Sequence, residues 1–188
     1  MAVAARPAIF LDRDGTLHRE LESPLRGIDQ IEWIPRALEA LHDLARAGFE
    51  LVVVTNQSAM ARGELEWAEL ERIHEHMRSK APIAAFYVCP HHPENGAPPY
   101  RRACQCRKPG SLLLSFAARD LGLDLGRSWI VGDARRDLQA GLALGVRALL
   151  VATGKGQRER AALSPEMLKS VGLCADLRAA ADTILAQR

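Results

Sequence analysis

Two acidic motifs and one cysteine-rich stretch carry the groups best able to do chemistry. Asp12 and Asp14 flank Arg13 and are followed by Gly15-Thr16, while Asp133 follows Gly132 and Asp137 stands four residues later. Two carboxylates two apart at a strand end can address one site, and the glycine after them permits a tight turn and close backbone approach to a phosphate. With a third Asp from another strand they make a hard-oxygen site suited to Mg²⁺. Thr55-Asn56-Gln57-Ser58 and Arg107-Lys108 add the hydroxyls, amides and cations that would complete a phosphoryl clamp. Each motif alone has an ordinary structural explanation, Asp-x-Asp-Gly as a turn and a lone Asp as a helix N-cap. Their occurrence in order, each at the end of a predicted strand, selects the chemical one.

Cys89-Pro90-His91-His92 and Cys104-Gln105-Cys106 place three thiols and two imidazoles within one short stretch, enough for a closed tetrahedral Zn²⁺ site. Spacing leaves His91 and His92 as rivals for the fourth position. Free thiols in a loop are the alternative. Cys106 directly precedes Arg107-Lys108, so a metal here would fix where those cations point. With four protein ligands the zinc would be structural rather than catalytic. Cys174, between Leu173 and Ala175, reads as a buried small hydrophobe.

The elements that must hold these groups follow from the hydrophobic pattern. Short apolar runs at Ala8–Leu11, Leu51–Thr55, Phe86–Cys89, Trp129–Val131 and Ala148–Val151 alternate with segments of helical period at Pro35–Ala47, Glu64–Lys80, Gly110–Leu121 and Arg135–Leu144. A short helix is expected from Ser164-Pro165, and another over Ala175–Gln187 packing on the sheet edge. This alternation predicts an α/β fold, a doubly wound Rossmann-like parallel sheet, in a single domain over residues 1–188 with ligands at the carboxyl ends of the strands. Leu17–Ile34 and Pro90–Pro109 fall outside the alternation, and long irregular segments in a compact domain are usually functional or stapled.

Composition narrows the partners. The 188 residues are 48% hydrophobic and 26% charged with a formal net charge of +2, which excludes a disordered chain and lacks the basic stripe of a nucleic-acid binder. Aromatic residues for base stacking are scarce, at 5%. No apolar run approaches the ~20 residues that cross a bilayer. Ala8-Ile9-Phe10-Leu11 is interrupted at once by Asp12, so neither a membrane nor a secretory signal is expected. A cytoplasmic monomer acting on a small molecule is the expectation, and that reducing compartment favours metal ligation over disulfides.

Phe10-Leu11-Asp12-Arg13-Asp14-Gly15-Thr16-Leu17, Val53-Val54-Thr55-Asn56, Lys108-Pro109 and Ile130-Val131-Gly132-Asp133 with Asp137 resemble the four-motif pattern of the haloacid dehalogenase superfamily of aspartyl-nucleophile phosphatases. The resemblance implies Asp12 as nucleophile, Asp14 as general acid and base, and Mg²⁺ held by Asp12, the Asp14 backbone carbonyl and Asp133. It implies Thr55 and Lys108 on the transferring phosphate, with Asp137 behind Lys108 or a metal-bound water. The absence of an inserted domain resembles the capless branch. Cys-Pro-His-His-Pro with Cys-x-Cys-Arg-Lys-Pro is similar to the zinc loop of its histidinol-phosphate and heptose bisphosphate phosphatases, which implies His91 as the ligand. The substrate so implied is a heptose 1,7-bisphosphate losing its 7-phosphate, with histidinol phosphate as the alternative. Asn56, Gln57, Ser58 and Arg107 are then expected at the substrate, Arg107 on the second phosphate. His18 and Ala134 depart from that branch, where Asn and a basic residue are common.

Overall fold

The computed structural model describes residues 5–187. Six strands, β1 (Arg6–Leu11), β2 (Glu50–Asn56), β3 (Ile83–Cys89), β4 (Leu123–Gly132), β5 (Arg147–Val151) and β6 (Val171–Cys174), form one parallel sheet in the order β3-β2-β1-β4-β5-β6. The order reverses at β1, which pairs with β2 on one side and β4 on the other. Crevices open at such a reversal, beyond the carboxyl ends of the strands.

Among the described residues seven α-helices cover the sheet: α1 (Ala37–Arg46), α2 (Trp67–Lys80), α3 (Leu112–Leu121), α4 (Arg135–Leu142), α5 (Gly156–Ala161), α6 (Pro165–Ser170) and α7 (Leu177–Ala186). Alternate residues of β1 feed two cores. Ile9 and Leu11 pack with Leu41, Leu44, Ile73, Met77 and Ile184 of α1, α2 and α7. Ala8 and Phe10 pack with Leu114 and Leu138 of α3 and α4. Burial on both faces is why the central strands read as continuous apolar runs.

Several boundaries differ from the sequence expectation. Helix α1 begins at Ala37 rather than Pro35 because Arg36 takes a left-handed conformation, φ 61°. β6 was not anticipated, since its four residues are only partly covered and carry no alternation. Helix α7 lies beside α1 and against β4, β5 and β6, on the sheet face rather than over its edge. Cys174, at the end of β6, is half-buried with its Sγ 3.8 Å from Thr183 Oγ1, not fully enclosed. The Leu17–Ile34 segment is a flap closed at its base, where the Arg19 amide donates to Glu32 O (2.8 Å) and the Ile34 amide to Leu17 O (3.0 Å).

Candidate active site and metal clusters

Asp12 leaves the end of β1 with its amide bonded to Val131 O of β4 at 3.0 Å, which aims its carboxylate into the crevice between the two strands. Lys108 reaches it from 96 residues away, its Nζ donating to Asp12 Oδ1 at 2.9 Å and to Val54 O at 2.6 Å. The same ammonium lies 2.7 Å from Asp137 Oδ1. Burial works against the charge of Lys108, but the Asp12 and Asp137 carboxylates outweigh it and hold the ammonium above its ordinary range. Asp137 uses its second oxygen to accept from the Ala134 amide at 3.0 Å, closing the start of α4.

Asp133 is different. One oxygen accepts from the Lys155 amide at 2.8 Å, while Oδ1 is buried without a partner. Burial, followed by the negative charge of Asp12, pushes its pKa up to about 7. Ligand oxygens of Asp12, Asp133 and Asp137 lie within 4.8 Å of one another. Since Asp137 is already turned to Lys108, the orphaned oxygen of Asp133 facing Asp12 is where a hard cation fits this donor set. Two glycines make the approach possible: a Cβ on Gly15 would stand 2.3 Å from Asp133 Oδ2, and one on Gly154 2.2 Å. Both have positive φ, 80° and 55°.

Asp14 stands beside this cluster in a cage of donors. Arg13, itself wholly buried, grips it through Nε (3.2 Å) and a terminal nitrogen (3.0 Å), and Gln57 Nε2 donates at 2.9 Å. His18 Nε2 is 3.2 Å away, with its Nδ1 fixed on Arg19 O at 2.7 Å. Burial would raise the Asp14 pKa, yet Arg13 and His18 together hold it well below the usual carboxylate range. Gln57 also donates to Thr55 Oγ1 at 2.8 Å, so Thr55 and Asp14 share one orienting amide. Asn56 locks the opposite wall: its side chain exchanges bonds with the Lys108 backbone at 3.0 and 3.1 Å. Arg107 places one nitrogen 2.7 Å from Ser58 Oγ and 3.0 Å from His91 O, tying the cysteine-rich loop to the end of β2.

The second cluster is closed. Cys89, His91, Cys104 and Cys106 point their ligand atoms at a common centre, with separations of 3.1 Å (Cys104–Cys106), 3.3 Å (His91–Cys106), 3.4 Å (Cys89–Cys106) and 3.6 Å (Cys89–Cys104). A Zn–S bond of about 2.3 Å in a tetrahedron implies ligands about 3.8 Å apart, so the donor set and its spacing fit that ion with slight expansion. His92 lies elsewhere, its Nδ1 accepting from the Glu94 and Asn95 amides at 3.2 and 2.9 Å. Burial pushes the Cys89 and Cys106 thiols up, so metal binding there must displace protons.

A cavity of about 230 Å³ opens above the carboxylates. Asp12, Asp14, Asn56, Gln57 and Ser58 form its floor, Glu20 to Leu25 of the flap its roof, and Arg62, Arg136 and Lys155 its rim. Arg107 is not among the residues lining it. Contributors that escaped the sequence analysis include Arg13 on Asp14, Arg136, Glu20 with its partner Lys155, and Thr153, whose hydroxyl donates to Gly15 O at 2.7 Å. Only the position of Arg136 beside Asp137 offered a local signal.

A family model described as HAD-hydrolase-like matches residues 105–180. The chain is 41% identical over 155 residues to the D-glycero-beta-D-manno-heptose-1,7-bisphosphate 7-phosphatase of Escherichia coli K12, covering 79% of this chain and 81% of that one. The chain belongs to the haloacid dehalogenase-like hydrolases. The Pseudomonas aeruginosa enzyme of the same name is 35% identical over 167 residues, covering 86% and 90%. Among solved structures, the D,D-heptose 1,7-bisphosphate phosphatase of B. bronchiseptica, complexed with magnesium and phosphate, superposes with a TM-score of 0.85 at 34% identity, over 97% of this chain and 99% of that one. The HAD fold therefore extends over the described sheet and both loops, not only the segment the family model matches.

Proposed function

We propose that this chain is a magnesium-dependent phosphatase that removes the 7-phosphate of D-glycero-D-manno-heptose 1,7-bisphosphate. The observation that carries this is the placement of Asp12, at the floor of a cavity rimmed by cations, against the buried Lys108 ammonium and an unpartnered Asp133 oxygen. The similarity to heptose bisphosphate phosphatases supports the sugar. Asp12, the Asp14 backbone carbonyl and Asp133 would hold a Mg²⁺, which would supply positive charge to offset that of the phosphoryl group.

In this mechanism the Asp12 carboxylate attacks phosphorus and takes the phosphoryl group, while the leaving sugar oxygen receives a proton from Asp14. Water then attacks the aspartyl phosphate, gives its proton to Asp14, and inorganic phosphate departs. Arg13 and Gln57 orient the Asp14 carboxylate for these proton transfers, with Gln57 tying it to the Thr55 side. Thr55 and Lys108 bind the transferring oxygens, and Asp137 steers Lys108 toward them. Asn56, Gln57 and Ser58 shape the floor, and Arg107 braces Ser58 from the zinc loop. That loop, held by zinc on Cys89, His91, Cys104 and Cys106, fixes the backbone from which Lys108 departs.

A substrate bearing an ammonium, such as histidinol phosphate, would want free carboxylates in the cavity. Glu20 is instead paired with Lys155, leaving Glu22 against Arg62 and Arg136. Steady-state phosphate release from the heptose bisphosphate and from histidinol phosphate tests the assignment. A kcat/KM at least a hundredfold higher for the bisphosphate is expected, and equal or reversed values would overturn it.

A further inference from the structure

The rim of the cavity carries three cations, and they are not equally engaged. Arg62 donates to Glu64 at 2.8 Å, and Lys155 is paired with Glu20 of the flap. Arg136 makes only one long ion pair among the described residues, with Asp137. Its Nε is shut off from water and makes no hydrogen bond among the described residues, while Asp137 Oδ1 lies 3.9 Å away and is turned to Lys108. Leaving an N–H out of water without an acceptor is unfavourable, so a side chain so placed is suited to receive an anion. The neighbouring Arg135 shows the contrast: its backbone amide goes to Glu159 and its guanidinium to Ala162 O, away from the cavity.

Position explains why the anion is not the transferring phosphate. Asp12 lies at the floor with Lys108 buried against it, whereas Arg136 sits on the first turn of α4 with 35% of its side chain exposed at the mouth. Ala134 adds no charge of its own at the start of the helix.

We propose that Arg136 binds the phosphate that is not transferred and so sets the preference of this enzyme for a bisphosphate. This rests on the heptose bisphosphate assignment above. Its forked guanidinium suits a phosphate bidentately, and a contact made equally in ground and transition states appears in KM more than in kcat. The test compares wild type with R136Q on heptose 1,7-bisphosphate and on heptose 7-phosphate, which lacks the second group. Wild type is expected to prefer the bisphosphate, and R136Q to lower the ratio of the two kcat/KM values tenfold or more, chiefly through KM for the bisphosphate. If wild type turns over both equally, the bisphosphate assignment itself falls and this role with it. If wild type prefers the bisphosphate but R136Q keeps the ratio within twofold, or loses both substrates by one factor, only the Arg136 role falls.

Discussion

The two ligand clusters of this molecule solve opposite problems with groups that lie close together in the fold. Asp12, Asp133 and Asp137 are gathered from positions more than a hundred residues apart, and part of their charge is already met by Lys108. Asp133 Oδ1 is left without a partner, close to Asp12 at the floor of an open cavity. Cys89, His91, Cys104 and Cys106 come from a strand end and the loop that follows it, use every donor on one centre, and have no ammonium among them. A cation at the carboxylates is therefore shared with water and substrate and exchanges. One at the thiolates is enclosed and stays. What separates the two is the number of donors left free for something other than protein.

The sharpest way to break this contrast is at Asp12. Asp12→Asn keeps the volume and the oxygen facing Lys108 but removes the nucleophilic charge, so turnover should fall at least a thousandfold while the protein stays folded. Phosphate release and circular dichroism check both halves. Activity within tenfold of the parent would mean that the phosphoryl group never passes through this side chain.

Lys108→Ala attacks the same cluster from its counter-charge. Asp12 and Asp137 would be left buried and unpaired, and breaking a buried pair in this way costs about 3–5 kcal/mol. Urea unfolding without added metal should show that loss, and Mg²⁺ should restore more stability to the variant than to the parent, since it becomes the main positive charge there. An equal response to Mg²⁺ would place the ion away from Lys108. Turnover should fall with every substrate alike, because the transferring phosphate is common to all.

The thiolate cluster makes the reverse prediction. Protein purified under reducing conditions without added metal should carry about one equivalent of zinc by elemental analysis and little magnesium. Cys104→Ser should lose that zinc and lower the melting temperature by about 2–4 °C for each kcal/mol of stability removed. Purified protein without zinc would reduce the cluster to four neutral side chains in a loop.

The same contrast explains what could be read from the sequence. The cluster of thiols was legible because its members are close along the chain, and the candidate carboxylates because they follow apolar strands. What sequence spacing left open was settled by local turns: His92 is used by the Glu94 and Asn95 amides, and His91 is the imidazole among the thiols. Contacts made only across the fold were not legible. Glu20 meets Lys155 and Thr153 meets Gly15 over separations of 135 and 138 residues, and no local pattern marks either pair. Arg13 hid for another reason, since an arginine between two aspartates reads as solvated charge, yet it is fully buried against Asp14 and His74.

Arg107 ties the cysteine loop to the cavity floor at Ser58, and it gives the smallest and most selective expected effect. Its guanidinium joins the His91 carbonyl to the Ser58 hydroxyl, and its backbone lies between the thiol of Cys106 and the ammonium stem of Lys108. Half-buried and outside the cavity lining, it retains nitrogens not used by those two bonds. If those nitrogens reach the second phosphate when substrate is bound, Arg107→Ala should lower kcat/KM for the bisphosphate by about 1.5–3 kcal/mol, the worth of one charge-assisted hydrogen bond, and cost a simple phosphate ester much less. If Arg107 serves only as the brace between the clusters, both substrates should weaken by one factor, and the variant should resemble a mild form of zinc loss. Measuring the two substrates in Arg107→Ala alongside the zinc content separates these outcomes. A selective loss with zinc retained makes Arg107 a substrate contact, and a uniform loss makes it the strut through which a structural metal positions a catalytic lysine.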